Sequence, residues 1–321
     1  FWMWIAALVG MATKYAEGLL AIKFRTLDDQ GNVSGGPMYY ITHGFSGKWQ
    51  IIAKPLAYFF AFAGVLVAWL GIGTFSQVNS ITSSLQNSFG WSPKIVSVIL
   101  ALITAAIIFG GIQSISKVSE KVVPFMAGLY IIAALIVIFA NFNQLLPVLE
   151  MVFQSAFTGK AAVGGFAGAT VMAAMRLGIA RGVFSNESGL GSAPIAAAAA
   201  KTEEPVEQGL ISMTGTFIDT IIICTLTGLA ILVTGQWSGS LEGAPMTQAA
   251  FSSIFGTFGE LALTLSLVLF AFTTVLGWSY YGERCFEFIF KSTKFLSFYR
   301  LIFVVMVALG GYLTLEVVWK I

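Results

Sequence analysis

Charge is what this sequence has least of. Of its 321 residues, 17 are Lys or Arg and 15 are Asp or Glu, so charged side chains make up 10% of the chain, where a soluble domain carries about 25%. That shortage excludes an ordinary water-soluble enzyme, whose surface needs more ions to stay wetted. A formal net charge of +2 does not provide the basic stripe that marks a nucleic-acid footprint. There is a single histidine, His43, in a loop, and there are two cysteines, Cys224 and Cys285. They have neither metal-site spacing nor a partner nearby, which argues against a His/Cys transition-metal centre and a disulfide framework. A Ser/His/Asp triad inside an apolar segment is excluded as well. No Walker loop or Rossmann fingerprint is present, so no organic cofactor is expected.

What the chain does have is apolar length. Hydrophobic residues make up 57% of it and the mean hydropathy is +0.86. Hydropathy marks about eight membrane-length segments, roughly 1–23, 53–88, 95–113, 122–141, 164–200, 206–235, 257–281 and 296–316, each near the ~20 residues a helical span requires. They are too long for barrel strands and lack apolar/polar alternation. The expectation is an all-α polytopic membrane protein forming one domain over 1–321. Small residues four apart, such as Gly164 and Gly168, suit close helix contact in lipid.

Basic residues fall in alternate loops. Lys23, Arg25, Lys48 and Lys54 follow the first span, Lys117 and Lys121 the third, Lys201 the fifth, and Arg284, Lys291, Lys294 and Arg300 the seventh. The other loops hold only Lys94 and Lys160. Basic loops stay cytoplasmic, which puts Phe1 outside the cell membrane and the odd-numbered loops inside. The chain opens Phe1-Trp2-Met3-Trp4 without an initiator Met or a basic n-region, so it does not start on a signal peptide; it is expected to be a piece of a longer protein.

Two loops are distinctive. Asp28-Asp29-Gln30-Gly31-Asn32 through Gly35-Gly36-Pro37 is turn-rich and leads to Tyr39-Tyr40, a pair suited to anchoring at a membrane interface. Lys201-Thr202-Glu203-Glu204-Pro205 reads as a solvated turn with no functional role.

Polar groups inside the apolar segments must face protein, water or ligand. The fifth span carries Arg181-Gly182-Val183-Phe184-Ser185-Asn186-Glu187-Ser188-Gly189-Leu190-Gly191-Ser192. Its glycines and polar groups predict a helix that unwinds near 182–186 and restarts near Ser188. Broken helices expose backbone groups and half-helix dipole ends that bind a substrate carboxylate or a cation; a kinked helix whose polar groups pair with neighbours is the structural alternative. Gln77 can accept from an ammonium and donate to a carboxylate, or simply bond between helices. Thr273 and Thr274 can supply neutral oxygens to a hard cation, or bond back to their own helix. Lys14 and Glu17 are spaced to pair on one helix face. Asp219, in the sixth span, has three open roles: cation ligand, ion-pair partner or proton carrier.

Four stretches resemble the alanine/glycine:cation symporters, also called the sodium:alanine symporter family: Phe1-Trp2-Met3-Trp4 on to Lys14-Tyr15-Ala16-Glu17, Gly35-Gly36-Pro37-Met38-Tyr39-Tyr40, the interrupted run Arg181 to Ser192, and Phe217-Ile218-Asp219-Thr220. The likeness covers nearly the whole chain. It implies an inverted-repeat (5+5) fold like that of the leucine transporter, with the fifth span here as its unwound sixth core helix and the first core helix outside this sequence. It implies sodium-coupled symport of a small neutral amino acid, alanine or glycine, by alternating access in the cell inner membrane; proton coupling or exchange is the alternative, and a passive channel a more distant one. By the same resemblance Gln77, Gly182, Phe184, Ser185 and Asn186 would contact the amino acid. Thr273 and Thr274 would hold Na⁺, and Asp219 matches a family motif and is a candidate ion ligand.

Overall fold

The computed structural model describes residues 1–29, 31–158, 171–313 and 317. Gly164, Gly168 and Lys160, the start of the expected fifth span and Glu316 at the end of the eighth lie outside the described residues.

The described residues are helical almost throughout. In order come α1 (Trp2–Lys23), a minimal hairpin of strands Thr26–Leu27 and Val33–Ser34, α2 (Pro37–Gly44), α3 (Gln50–Leu70), α4 (Phe75–Phe89), α5 (Pro93–Ile108), α6 (Gly111–Ala140) and α7 (Phe142–Thr158). Then follow α8 (Val171–Asn186), α9 (Ala193–Ala197), α10 (Pro205–Thr216), a π-helical stretch (Phe217–Cys224), α11 (Thr225–Val233), α12 (Ala244–Phe290) and α13 (Leu296–Gly310). Six of the described helical segments are long and apolar enough to cross a membrane.

Several boundaries differ from expectation. The segment 53–88 is two helices, because the chain leaves helical geometry at Gly71 and resumes at Phe75. At the joint Gly73 lets the backbone approach Trp278, whose Cβ would stand 2.6 Å from any added Cβ. The third span ends at Ile108, and α6 begins at Gly111, well before residue 122, carrying Lys117, Glu120 and Lys121 as helix. Proline at 124 does not stop it; in an apolar span neighbouring groups and local adjustments of the helix re-satisfy the backbone group a proline frees. The seventh span is longer than 257–281: α12 covers Ala244–Phe290, interrupted at Gly256 (φ 59°, ψ −145°). Helix α7 carries Asn143, Gln144, Glu150 and Gln154, so hydropathy misses it.

The described chain forms two compact units. The first comprises Phe1–Ala16, Ala127–Leu190 and Gly209–Ser266; the second Glu17–Met126, Gly191–Gln208 and Leu267–Ile321. In the first, α8 lies close on α1: a Cβ on Gly178 would stand 2.8 Å from that of Trp2, and one on Gly182 would stand 3.2 Å from Met3 Cγ. The second has an apolar core that includes Met38, Ala61, Val78, Leu276, Tyr299 and Phe303, with Trp69 stacked on Tyr299 at 5.5 Å between ring centres. Tyr39 sets its edge against Phe288 at 5.2 Å. Burial, then the charge of Glu287, pushes its hydroxyl up to about 12.

Candidate functional site

The expected interruption exists, but several residues further on. Helix α8 runs unbroken through Gly182, Phe184 and Ser185 to Asn186. The turn then falls at Glu187 (φ 57°), Gly189 (φ 83°) and Gly191 (φ 76°), and α9 starts at Ala193 instead of near Ser188. Gly182 does not unwind because its missing side chain serves the contact with α1. The left-handed residues that end a helix lie just beyond its last turn. Asn186 finishes the helix, its Oδ1 accepting from the Ser188 amide at 2.9 Å.

The turn's main chain is not bare. The Glu187 amide donates to Val183 O at 2.8 Å and that of Leu190 to Glu187 O at 3.2 Å. In the second unit the Gly191 amide donates to Glu17 Oε1 at 3.2 Å. Backbone groups away from water need partners, and the chain supplies them locally. The chemistry at the interruption therefore lies mainly in its side chains.

Those side chains converge within the first unit. Ser185 Oγ donates to Asp219 Oδ1 at 3.0 Å, and Thr220 Oγ1 donates to Asp219 Oδ2 at 2.7 Å. Asn186 Nδ2 donates to Thr220 Oγ1 at 2.9 Å. Ser188 and Thr216 hydroxyls are 3.4 Å apart, and Cys224 Sγ is 3.2 Å from Ser185 Oγ. Asp219 and Thr220 come from the π-helical stretch; wider turns of this kind are rare and frequent at functional sites. Gly10 of α1 allows the approach, since a Cβ there would stand 2.9 Å from Ser188 Oγ. One helical turn on, Lys14 is buried and within electrostatic reach of the Asp219 carboxylate. A carboxylate ringed by hydroxyls and an amide suits a hard cation or an ammonium. Phe184 is half-buried on the same turn.

The remaining expected residues belong to the second unit. Gln77 Nε2 donates to Ile72 O at 3.1 Å, so it closes the joint between α3 and α4. Thr273 and Thr274 both donate to Phe270 O, at 2.9 and 3.0 Å. A hydroxyl that donates to a carbonyl keeps its lone pairs for a cation, so the bonds to their own helix leave ligation open.

Hydropathy and motif reading missed one polar constellation. Arg284, at the far end of α12, pairs with Asp28 at 3.2 Å, Glu283 at 3.0 Å and Glu287 at 2.6 Å, and Arg300 meets Glu283 at 2.6 Å. Ser34 Oγ donates to Glu287 Oε1 at 3.0 Å. The cluster borders a polar cavity of about 270 Å³ that Tyr280 also lines. Its only sequence signal is Glu283-Arg284 with Glu287 closing an apolar helix.

A sequence profile described as the sodium:alanine symporter family matches residues 1–321. An uncharacterized transporter of Haemophilus influenzae is 50% identical over 323 residues, covering all of this chain and 69% of its own length. The sodium/alanine symporter AgcS of Methanococcus maripaludis is 47% identical, over all of this chain and 70% of its own. The probable sodium/glutamine symporter GlnT of Bacillus subtilis is 38% identical, over all of this chain and 65% of its own. These relatives are named as transporters, not enzymes. With a profile match end to end, the chain belongs to the sodium:alanine symporter family.

Proposed function

We propose that the protein of which this chain is the sequence carries a small neutral amino acid, alanine or glycine, into the cell together with Na⁺ by alternating access. The observation that supports this reading best is the interruption after Asn186 with the Ser185–Asp219–Thr220–Asn186 network beside it. An oxygen-rich cluster built around a carboxylate in an apolar span is costly unless a cation or ligand uses it. Family membership and the names of relatives support sodium as the coupling ion and an amino acid as cargo.

In this reading Phe184, Ser185 and Asn186 contact the amino acid, with the Phe184 ring as a wall or gate. Asp219 supplies a charged oxygen to the cation. Thr273 and Thr274 offer hydroxyl oxygens to Na⁺, and the Gln77 amide is a further polar contact. Gly182 acts through helix packing, a revision of the direct role expected for it. Phe1 lies outside and the loops after the first, third, fifth and seventh spans lie in the cytoplasm, the cell inner membrane being the location.

The test is uptake of labelled alanine by the intact protein in proteoliposomes. An inward Na⁺ gradient is expected to drive accumulation, and choline in place of sodium to abolish it. Uptake indifferent to that replacement but following a pH gradient would establish proton coupling instead. Unsaturable flux without accumulation would establish a channel.

A further inference from the structure

The hairpin after α1 touches both the segment beyond the interruption and the charged end of α12. Arg25 stands at its base. The guanidinium donates through Nη1 to Ala198 O at 3.2 Å and Ala200 O at 2.7 Å, and through Nη2 to Thr202 O at 3.1 Å. These carbonyls follow the end of α9, where a helix leaves acceptors that its own amides cannot reach. A planar cation with five donors fits such a fan of oxygens in a way a single ammonium does not. Gly35 closes the same contact, because a Cβ there would overlap that of Ala198. On its other side the hairpin is fixed by Asp28 and Ser34 to Arg284 at 3.2 and 3.0 Å, and the Asp28 side chain is fully buried.

Helix α9 has five residues, too few to hold its own shape or place. It follows directly on the left-handed turn. We propose that Arg25 is a positioning residue for transport: by gripping the main chain behind α9 it sets where the restarted helix stands, with the hairpin as a strap to the end of α12. This rests on the transport reading above. It also gives the Lys201–Pro205 stretch, expected to be an idle turn, a part through the Thr202 carbonyl. Loosening the grip lets the restarted helix shift within the second unit and slows the cycle, while Ser185, Asn186 and Asp219 keep their contacts with one another in the first.

The experiment uses the full-length protein with Arg25→Lys and Arg25→Ala, and Lys48→Ala as a control for loss of an exposed charge. Misplacement of a site element by this kind of loss is expected to lower the maximal rate of sodium-driven alanine uptake about tenfold in Arg25→Ala and less in Arg25→Lys, with equilibrium alanine binding within about twofold of the parent. A second readout does not depend on transport: in an Ala200→Cys background, maleimide labelling of that thiol is expected to quicken severalfold when Arg25 is replaced. Parent-like rate and labelling in Arg25→Ala overturn the proposal. If that variant does not fold, the same outcome in Arg25→Lys overturns it. Equal losses of binding and rate also overturn it, since they indicate a general structural role. Should the parent show no sodium-driven uptake, the transport reading fails, and the labelling still decides whether Arg25 holds the segment.

Discussion

Asp219 is held by two hydroxyls, one from Ser185 on α8 and one from its own neighbour Thr220, so its carboxylate is oriented before any ligand arrives. Asp219→Asn keeps the shape and removes the charge, and hydrogen bonds to a charged group are worth about 1.5–3 kcal/mol. The variant is expected to raise the sodium concentration for half-maximal uptake severalfold, and so is the double variant Thr273→Val with Thr274→Val. Sodium titration of initial rates checks both, and an unchanged midpoint in either removes that position from the ion site. The polar residues themselves were legible, because Ser185, Asn186 and Asp219 stand out against apolar neighbours. Their meeting was not, nor was the approach of Lys14 to Asp219, since contact between distant stretches of chain leaves no mark on spacing or hydropathy.

At the scale of elements, the turn after Asn186 depends on glycines for two separable reasons. Gly189 and Gly191 both have left-handed φ, which costs other residues about 1–2 kcal/mol. Gly191 is also confined, since a Cβ would stand 2.7 Å from Pro37 Cγ and 2.8 Å from Phe60 Cε2, whereas at Gly189 it meets only Thr13 at 3.7 Å. Gly191→Ala is therefore expected to lower the thermal midpoint of the purified protein more than Gly189→Ala, as measured by loss of monodisperse protein on heating. Equal shifts would mean that backbone strain alone sets the cost. The interruption was legible from composition, yet its place was not. A glycine that lets two helices approach, such as Gly182, and one that ends a helix, such as Gly189, are the same letter. The joint at Gly71 was hidden because the hydroxyl-rich stretch after it, Thr74 to Ser88, reads as the polar continuation of the apolar helix before it. The π-helical stretch at Asp219 has no composition of its own.

Across the whole molecule, apolar side chains face outward along the long helices: Phe59 is 69% exposed, Ile132 61% and Phe258 75%. In water such a surface is a liability; in lipid it is the solvated face. Ile132 sits midway along the apolar segment 122–141 within α6, and Ile132→Arg carries an insertion cost of about 2.5–3.5 kcal/mol. Its yield in membranes is expected to fall sharply while Ile132→Leu matches the parent, as read by quantitative blotting of membrane fractions. Equal yields would place Ile132 against protein. Membrane class and most spans were legible because lipid imposes length and hydropathy directly on the chain. The division into two compact units was not, because it depends on which helices meet.

The grip of Arg25 falls on main-chain oxygens, which every residue type possesses. Alanines 196, 197 and 200 can thus be exchanged for bulkier types without unfastening it, whereas Ala198, its methyl against Gly35, and Ala199, packed on the apolar core, tolerate no growth. A combinatorial library over those three codons accordingly varies the side chains behind α9 while its anchor to Arg25 stays fastened.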